Sequence, residues 1–178
     1  YEITYGDWSS DVCSSDLQSW FDAGEYARSR DAYQRRVQLK GWEQEAYYAQ
    51  LRVALCEARL GAPDAQVVHA LLQAHQMRPT RAEALYELAR HHRERKQWDL
   101  GALFAEAACA IPYPTQDVLF VHRDVHEFRA LEEFAICAFY TARWRDGLKA
   151  CQRLLGMQLP AADRARIEQH LSFYRGKK

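Results

Sequence analysis

The sequence predicts an all-α protein, and three observations carry that expectation. From Gln18 onward apolar residues recur at three and four positions, as in Leu51, Ala54, Leu55 and Ala58 and again in Leu85, Leu88, Ala89 and His92. Gly and Pro punctuate these runs instead of interrupting them. Alternating β-branched runs are nearly absent, Val118-Leu119-Phe120-Val121 being the exception. The elements follow in order. Gly24 opens a helix over 26–39, which Gly41 closes. A helix over 44–60 carries the Leu51 run and stops at Gly61-Ala62-Pro63. Pro79 ends the next, 64–77, and Pro112 ends the pair 81–95 and 98–111. Beyond Pro112-Tyr113-Pro114, helices follow over 124–142 and 144–156, ending at Gly156. Pro160 starts the last, 161–174.

The chain has 178 residues, 48% hydrophobic and 27% charged, enough for one domain to bury a core. No stretch approaches the roughly 18 apolar residues of a membrane span. Neither a polybasic run nor a charge excess points to nucleic acid. A membrane or nucleic-acid partner is therefore not expected.

Residues 1–17 follow neither the period nor the composition of the remainder. The run from Asp7 to Leu17 contains two Ser-Ser-Asp units and, read back into codons, resembles the translation of a common sequencing adapter. This stretch is expected to be an artefact outside the fold, leaving 18–178 as the domain. It holds four acids, Glu2, Asp7, Asp11 and Asp16, and no bases, so the remainder carries a net charge of +4. An adapter at this position also implies a truncated reading frame. Of the cysteines, Cys56, Cys109, Cys137 and Cys151 remain, without CxxC spacing and mostly on apolar faces. They read as reduced core thiols of a cytoplasmic protein.

The helices come in similar pairs. Arg81-Ala82-Glu83-Ala84-Leu85-Tyr86-Glu87-Leu88-Ala89, then Gln97-Trp98-Asp99-Leu100-Gly101, then Ala105 to Ala108, matches the tetratricopeptide pattern, a helix–turn–helix unit of about 34 residues. Trp98 and Gly101 recur 46 residues on as Trp144 and Gly147, which places an inserted loop at 113–128. The expected architecture is a right-handed α-solenoid of tetratricopeptide-like repeats with a C-terminal capping helix at 161–174. Small residues are needed where paired helices cross, Ala89 against Gly101 and Ala135 against Gly147. Tyr26, Trp98 and Trp144 begin each second helix and plug the space beneath the turn. The apolar 118–121 segment is expected to tuck against the stack.

A narrower likeness lies in Arg78-Pro79-Thr80-Arg81-Ala82-Glu83-Ala84-Leu85, followed by Ile111-Pro112-Tyr113-Pro114, Asp117-Val118-Leu119-Phe120-Val121 and Arg129-Ala130-Leu131-Glu132-Glu133. Over most of 24–160 the chain resembles the tetratricopeptide region that follows the catalytic domain of bacterial family 2 glycosyltransferases. The resemblance implies a parent with an upstream nucleotide-sugar-dependent transferase domain bearing an Asp-x-Asp metal motif. The chain itself has no Asp-x-Asp and no nucleotide-binding βαβ pattern. The function expected is thus that of a noncatalytic interaction region, presenting a groove to a protein, an anionic glycan or the missing catalytic domain. The alternative is a freestanding adaptor that binds peptides.

Stacks of this kind bind along the face made by the first helix of each unit. The alignment places Arg52 and Arg59 there in one unit, Tyr86, Arg90 and Arg93 in the next, and Arg129, Glu132 and Tyr140 in the third. Arginines beside aromatics suit an extended anionic partner through bidentate, charge-assisted hydrogen bonds. His122 and His126 lie four apart, with Asp124, Glu127, His91 and His92 as further donors. Without His-Glu-x-x-His or a Cys pair, no metal and no cofactor is expected. The thiols sit in packing stripes and no Gly-rich loop or serine elbow exists, so no catalytic residue is expected.

Overall fold

The computed structural model describes residues 14–39 and 41–177, and among these every regular element is helical. Of the adapter-like stretch, residues 1–13, Cys13 included, lie outside the described residues. The first helix, α1 (Ser14–Asp22), begins within the rest of it. Then come α2 (Tyr26–Gln38), α3 (Glu43–Arg59), α4 (Asp64–Met77), α5 (Glu83–Glu94) and α6 (Trp98–Cys109). A π-helical turn, Val125–Arg129, leads into α7 (Ala130–Tyr140), followed by α8 (Trp144–Leu155) and α9 (Ala161–Tyr174). Each helix packs chiefly on its neighbours in sequence, while α5 also touches α7 and α7 touches α9.

Four helix ends close in the same way. The amides of Glu25, Ala62, Gln97 and Arg143 reach back five residues to the carbonyls of Trp20, Glu57, His92 and Ala138, at 2.9–3.0 Å. The residue before each amide, Gly24, Gly61, Lys96 or Ala142, takes a positive φ of 80, 72, 58 or 58°. This is the Schellman closure, which satisfies terminal carbonyls at the cost of one left-handed residue. Two of the four copies use a residue with a Cβ, which is strained there. Lys96→Gly and Ala142→Gly should therefore each stabilise the chain by about 0.5–1 kcal/mol, read from urea midpoints at constant m. A loss of stability in either would show that the side chain at that turn matters more than its backbone.

Two large apolar clusters form the core. One joins Tyr47, Leu51, Val67, Leu71, Leu85 and Leu88 across α3, α4 and α5. The other joins Ala89, Phe128, Phe134, Cys151, Leu154, Ile167 and Tyr174 across α5 to α9. A smaller one holds Ala32, Tyr33, Ala49 and Val53 between α2 and α3.

The expected close crossings are present, with an addition at each. A Cβ on Gly101 would stand 3.4 Å from the Ala89 carbonyl oxygen and 2.7 Å from Cys137 Sγ, so α7 also presses on this point. At Gly147 the space is taken by Tyr174 of α9, whose Cζ would lie 2.5 Å from an added Cβ. The Tyr174 hydroxyl donates to the Ala135 carbonyl, so a phenol stands between the two small residues. Trp98 and Trp144 are half-buried instead of fully plugged. Trp98 stacks on Tyr140 at 3.9 Å between centroids, and Trp144 Nε1 donates to the Phe139 carbonyl at 3.2 Å.

Candidate functional site

The arginine-bearing residues expected to share a face are distributed over two places. On α5 and the start of α7, Tyr86, Arg90, Arg93 and Arg129 come together. Arg90 Cζ lies 5.8 Å from the Tyr86 ring, and Arg129 lies close enough to interact with the Tyr86 hydroxyl. Each arginine already has a carboxylate. Arg90 Nη1 lies 3.2 Å from Glu87, Arg93 Nε lies 2.5 Å from Glu133, and Arg129 pairs with Asp124. Burial pushes both Glu87 and Glu133 above the ordinary carboxylate value, and the arginines only partly offset it. Glu132 is buried and turned to α9, where Arg166 holds it through bonds of 2.5 and 2.7 Å.

The others stand apart from this cluster. Arg59 is exposed at the end of α3. Tyr140 is occupied by its stack on Trp98. Arg52 is only 7% exposed, with its guanidinium 3.7 Å over the Phe21 ring and Tyr33 and Tyr48 nearby. Its Nε and Nη2 are buried and meet no hydrogen-bond acceptor, so the aromatic rings are its main compensation.

The largest grooves lie elsewhere. One, of about 400 Å³, runs between α2 and α4 over α3 and is lined by Gln34, Gln38, Gln50, Gln66 and Gln73 with Glu57. The other, of about 460 Å³, sits between α6 and α8 over α7, with Arg143, Lys149 and Arg153 facing Glu106 and Asp146.

The feature that sequence reasoning missed is a buried ionic network beneath the inserted loop. Arg81 is 0% exposed and spends every N–H. Its Nε and Nη2 bind Glu83 at 2.7–3.0 Å. Nη1 reaches Asp117 at 3.3 Å and the Leu119 carbonyl at 3.2 Å, and Nη2 reaches the Phe120 carbonyl at 3.0 Å. Arg78 Nε donates to Asp117 at 2.6 Å. Tyr47 donates to Glu83 at 3.2 Å, and His126 Nε2 lies 3.7 Å from the same carboxylate. Gln44 Oε1 accepts the amides of Val118 and Leu119, both at 3.0 Å, and Glu83 accepts that of His122 at 3.0 Å.

The loop's backbone thus tucks against the helices as expected, but two of its side chains do not. Val118 is 78% exposed and Phe120 57%. The hold on this segment is polar, through its main chain and Asp117. Nothing in the local sequence signals it, because Arg81 and Asp117 lie 36 residues apart.

The network fixes a pH dependence. Burial pushes the Glu83 carboxyl upward, but His126, Arg81 and the His122 amide outweigh it and hold the group well below its usual value. The Arg78 hydrogen bond chiefly holds Asp117 down as well. A depressed folded value means stability that is present above the unfolded values of 4.5 and 3.8 and lost as the pH falls through the lower folded values. The amide shifts of Val118, Leu119 and His122, followed by NMR, should stay fixed from pH 7 down to about 4 and move only below the ordinary Asp value. A transition centred above 4.5 would show that these carboxylates are not held.

Thiol chemistry finds no support in the geometry. Cys56, Cys137 and Cys151 are buried and free, and Cys109 is free and exposed. Burial pushes Cys137 up to about 12 and Cys151 to about 11, away from the thiolate. Among the described residues no three His, Cys, Asp or Glu side chains gather as metal ligands would, so His122 and His126 form no such set. No helix among them is long and apolar enough to cross a membrane. Compared with known proteins, the chain matches no protein-family model and no curated protein.

Proposed function

We propose that the chain is a noncatalytic interaction region, a right-handed stack of tetratricopeptide-like helix pairs whose first helices offer a face to a protein or peptide partner. The repeated Schellman closures and the close crossings at Gly101 and Gly147 support the repeat reading. The resemblance of 24–160 to the region behind family 2 glycosyltransferase domains makes an accessory role beside such an enzyme the setting we favour. The free thiols suit a cytoplasmic one.

The observation that carries the functional reading is the α5–α7 face. There Tyr86, Arg90, Arg93 and Arg129 gather, each arginine beside its own carboxylate. A polyanionic glycan would have to compete with Glu87, Glu133 and Asp124 for every guanidinium. A peptide brings carboxylates, carbonyls and amides together, and can exchange with both signs of such a lattice.

The test is an array of peptides and glycans probed with the full chain and with Arg90→Ala/Arg93→Ala. Peptide binding lost in the double variant, with the melting temperature nearly unchanged, is the expected result. Glycan binding alone, or peptide binding indifferent to both substitutions, would overturn it.

A further inference from the structure

We propose that the side chains of Gln44, Arg78, Arg81 and Glu83 form a receptor for an extended peptide of the pattern Asp-x-x-aromatic, and that the chain's own residues 117–122 occupy it in place of a partner. The inference rests on the peptide-binding reading above and gives it a second, separate site at the start of α3 and α5.

Three observations lead here. First, the four side chains read main chain. Gln44 takes two successive amides, Arg81 two successive carbonyls and Glu83 a further amide, which orders five backbone groups of one strand-like segment. This is how an extended peptide is bound when specificity is left to a few pockets. Second, the only side chains of the segment that are read are the two ends of the pattern. Asp117 sits between Arg78 and Arg81, and Phe120 packs on Tyr48 at 4.6 Å between centroids. Val118, between them, stands in water. A segment serving only as a brace would bury its apolar side chains, which is the usual source of stability; this one leaves two of them out. Third, Phe120 is held at a φ of 45°. A separate peptide, free of the covalent link to α6 and α7, can make the same bonds without that left-handed residue.

The receptor is also built to outlast its occupant. Arg81 keeps Glu83 and the Tyr47 ring, 4.8 Å away, when the segment leaves, and Arg78 keeps Glu43 at 3.5 Å. What the departing segment exposes is the set of main-chain readers and two guanidinium edges. An acidic peptide strand fits that set.

The probe is a fluorescein-labelled octapeptide copying residues 115–122, and the readout is fluorescence anisotropy. In a full chain whose residues 115–122 are replaced by a Gly-Ser linker of equal length, the octapeptide should bind. To the unaltered chain it should bind at least tenfold more weakly, because the tethered copy competes at an effective concentration on the order of millimolar. Replacing the peptide's Asp with Ala, or adding Arg81→Ala to the linker chain, should abolish binding. Arg90→Ala/Arg93→Ala should leave it intact, and a loss there would assign the peptide to the α5–α7 face and overturn this site.

A linker chain that keeps its helical circular dichroism yet binds nothing, or equal binding to both chains, would also overturn it. Should the linker chain fail to fold, Asp117→Ala in the intact loop gives the answer. It should bind the octapeptide at least tenfold more tightly than the unaltered chain, and no difference refutes the proposal.

Discussion

Arg81→Met should destabilise the chain by about 3–5 kcal/mol, the cost of removing one partner from a buried ionic set. The methionine fills much of the same volume, so the loss is electrostatic and not a cavity effect. Glu83 and Asp117, both buried, would keep their charges while losing the guanidinium between them. The carbonyls of Leu119 and Phe120 would lose their donor as well. For a domain of this size such a loss lowers the melting temperature by about 10 °C, measurable by calorimetry. Arg28→Met is the control: its pair with Glu25 is solvent-exposed, and it should fall within about 0.5 kcal/mol of the unaltered chain. Similar small effects for both would mean that the Arg81 network is not closed to water.

Tyr174→Ala should cost about 3–5 kcal/mol, as for other buried aromatic truncations, since the ring fills the slot between Ala135 and Gly147 and packs edge-on to Phe139 at 5.4 Å. Gly147→Ala should cost about 1–3 kcal/mol, because the new methyl must push the phenol out of that slot. The informative measurement is the double variant. With Tyr174 gone, Gly147→Ala should become neutral or gain up to about 1 kcal/mol, since alanine favours the helix interior over glycine. The sign of one substitution thus depends on the other. Additive losses in denaturant melts would refute the slot.

Both predictions rest on features that the sequence exposed unequally. Helix ends were legible because local chemistry sets them: α4 was expected at 64–77 and spans Asp64–Met77, and α9 matches 161–174. Pro and Gly act within a few residues of where they stand. The close crossings were legible too, because Trp98-x-x-Gly101 and Trp144-x-x-Gly147 repeat the same steric demand. The filler at Gly147 was not, since Tyr174 arrives from a helix with no counterpart spacing. The site residues fared likewise. Tyr86, Arg90 and Arg93 share one helix and fall on one face by period alone, whereas the carboxylates facing Arg93 and Arg129 depend on tertiary packing. The ionic network left no trace in periodicity, because charges that pair across a loop follow no repeat. Its only written sign was Val118 to Phe120, an apolar run in a loop, and its hold turned out to be on the backbone.

The bonds from Gln44 to the amides of Val118 and Leu119 span 74 and 75 residues, far more than the helix-to-helix contacts around them. A row of helices that touch mainly their neighbours behaves as a linear array, in which an end can fray while the rest persists. Here α3, α5 and the turn before α7 are tied by one strap, so that middle section should melt as a single cooperative unit. The same tie raises contact order in an otherwise local topology. Closure of that long loop must await the synthesis of residue 119, which makes it a late and comparatively slow event in folding.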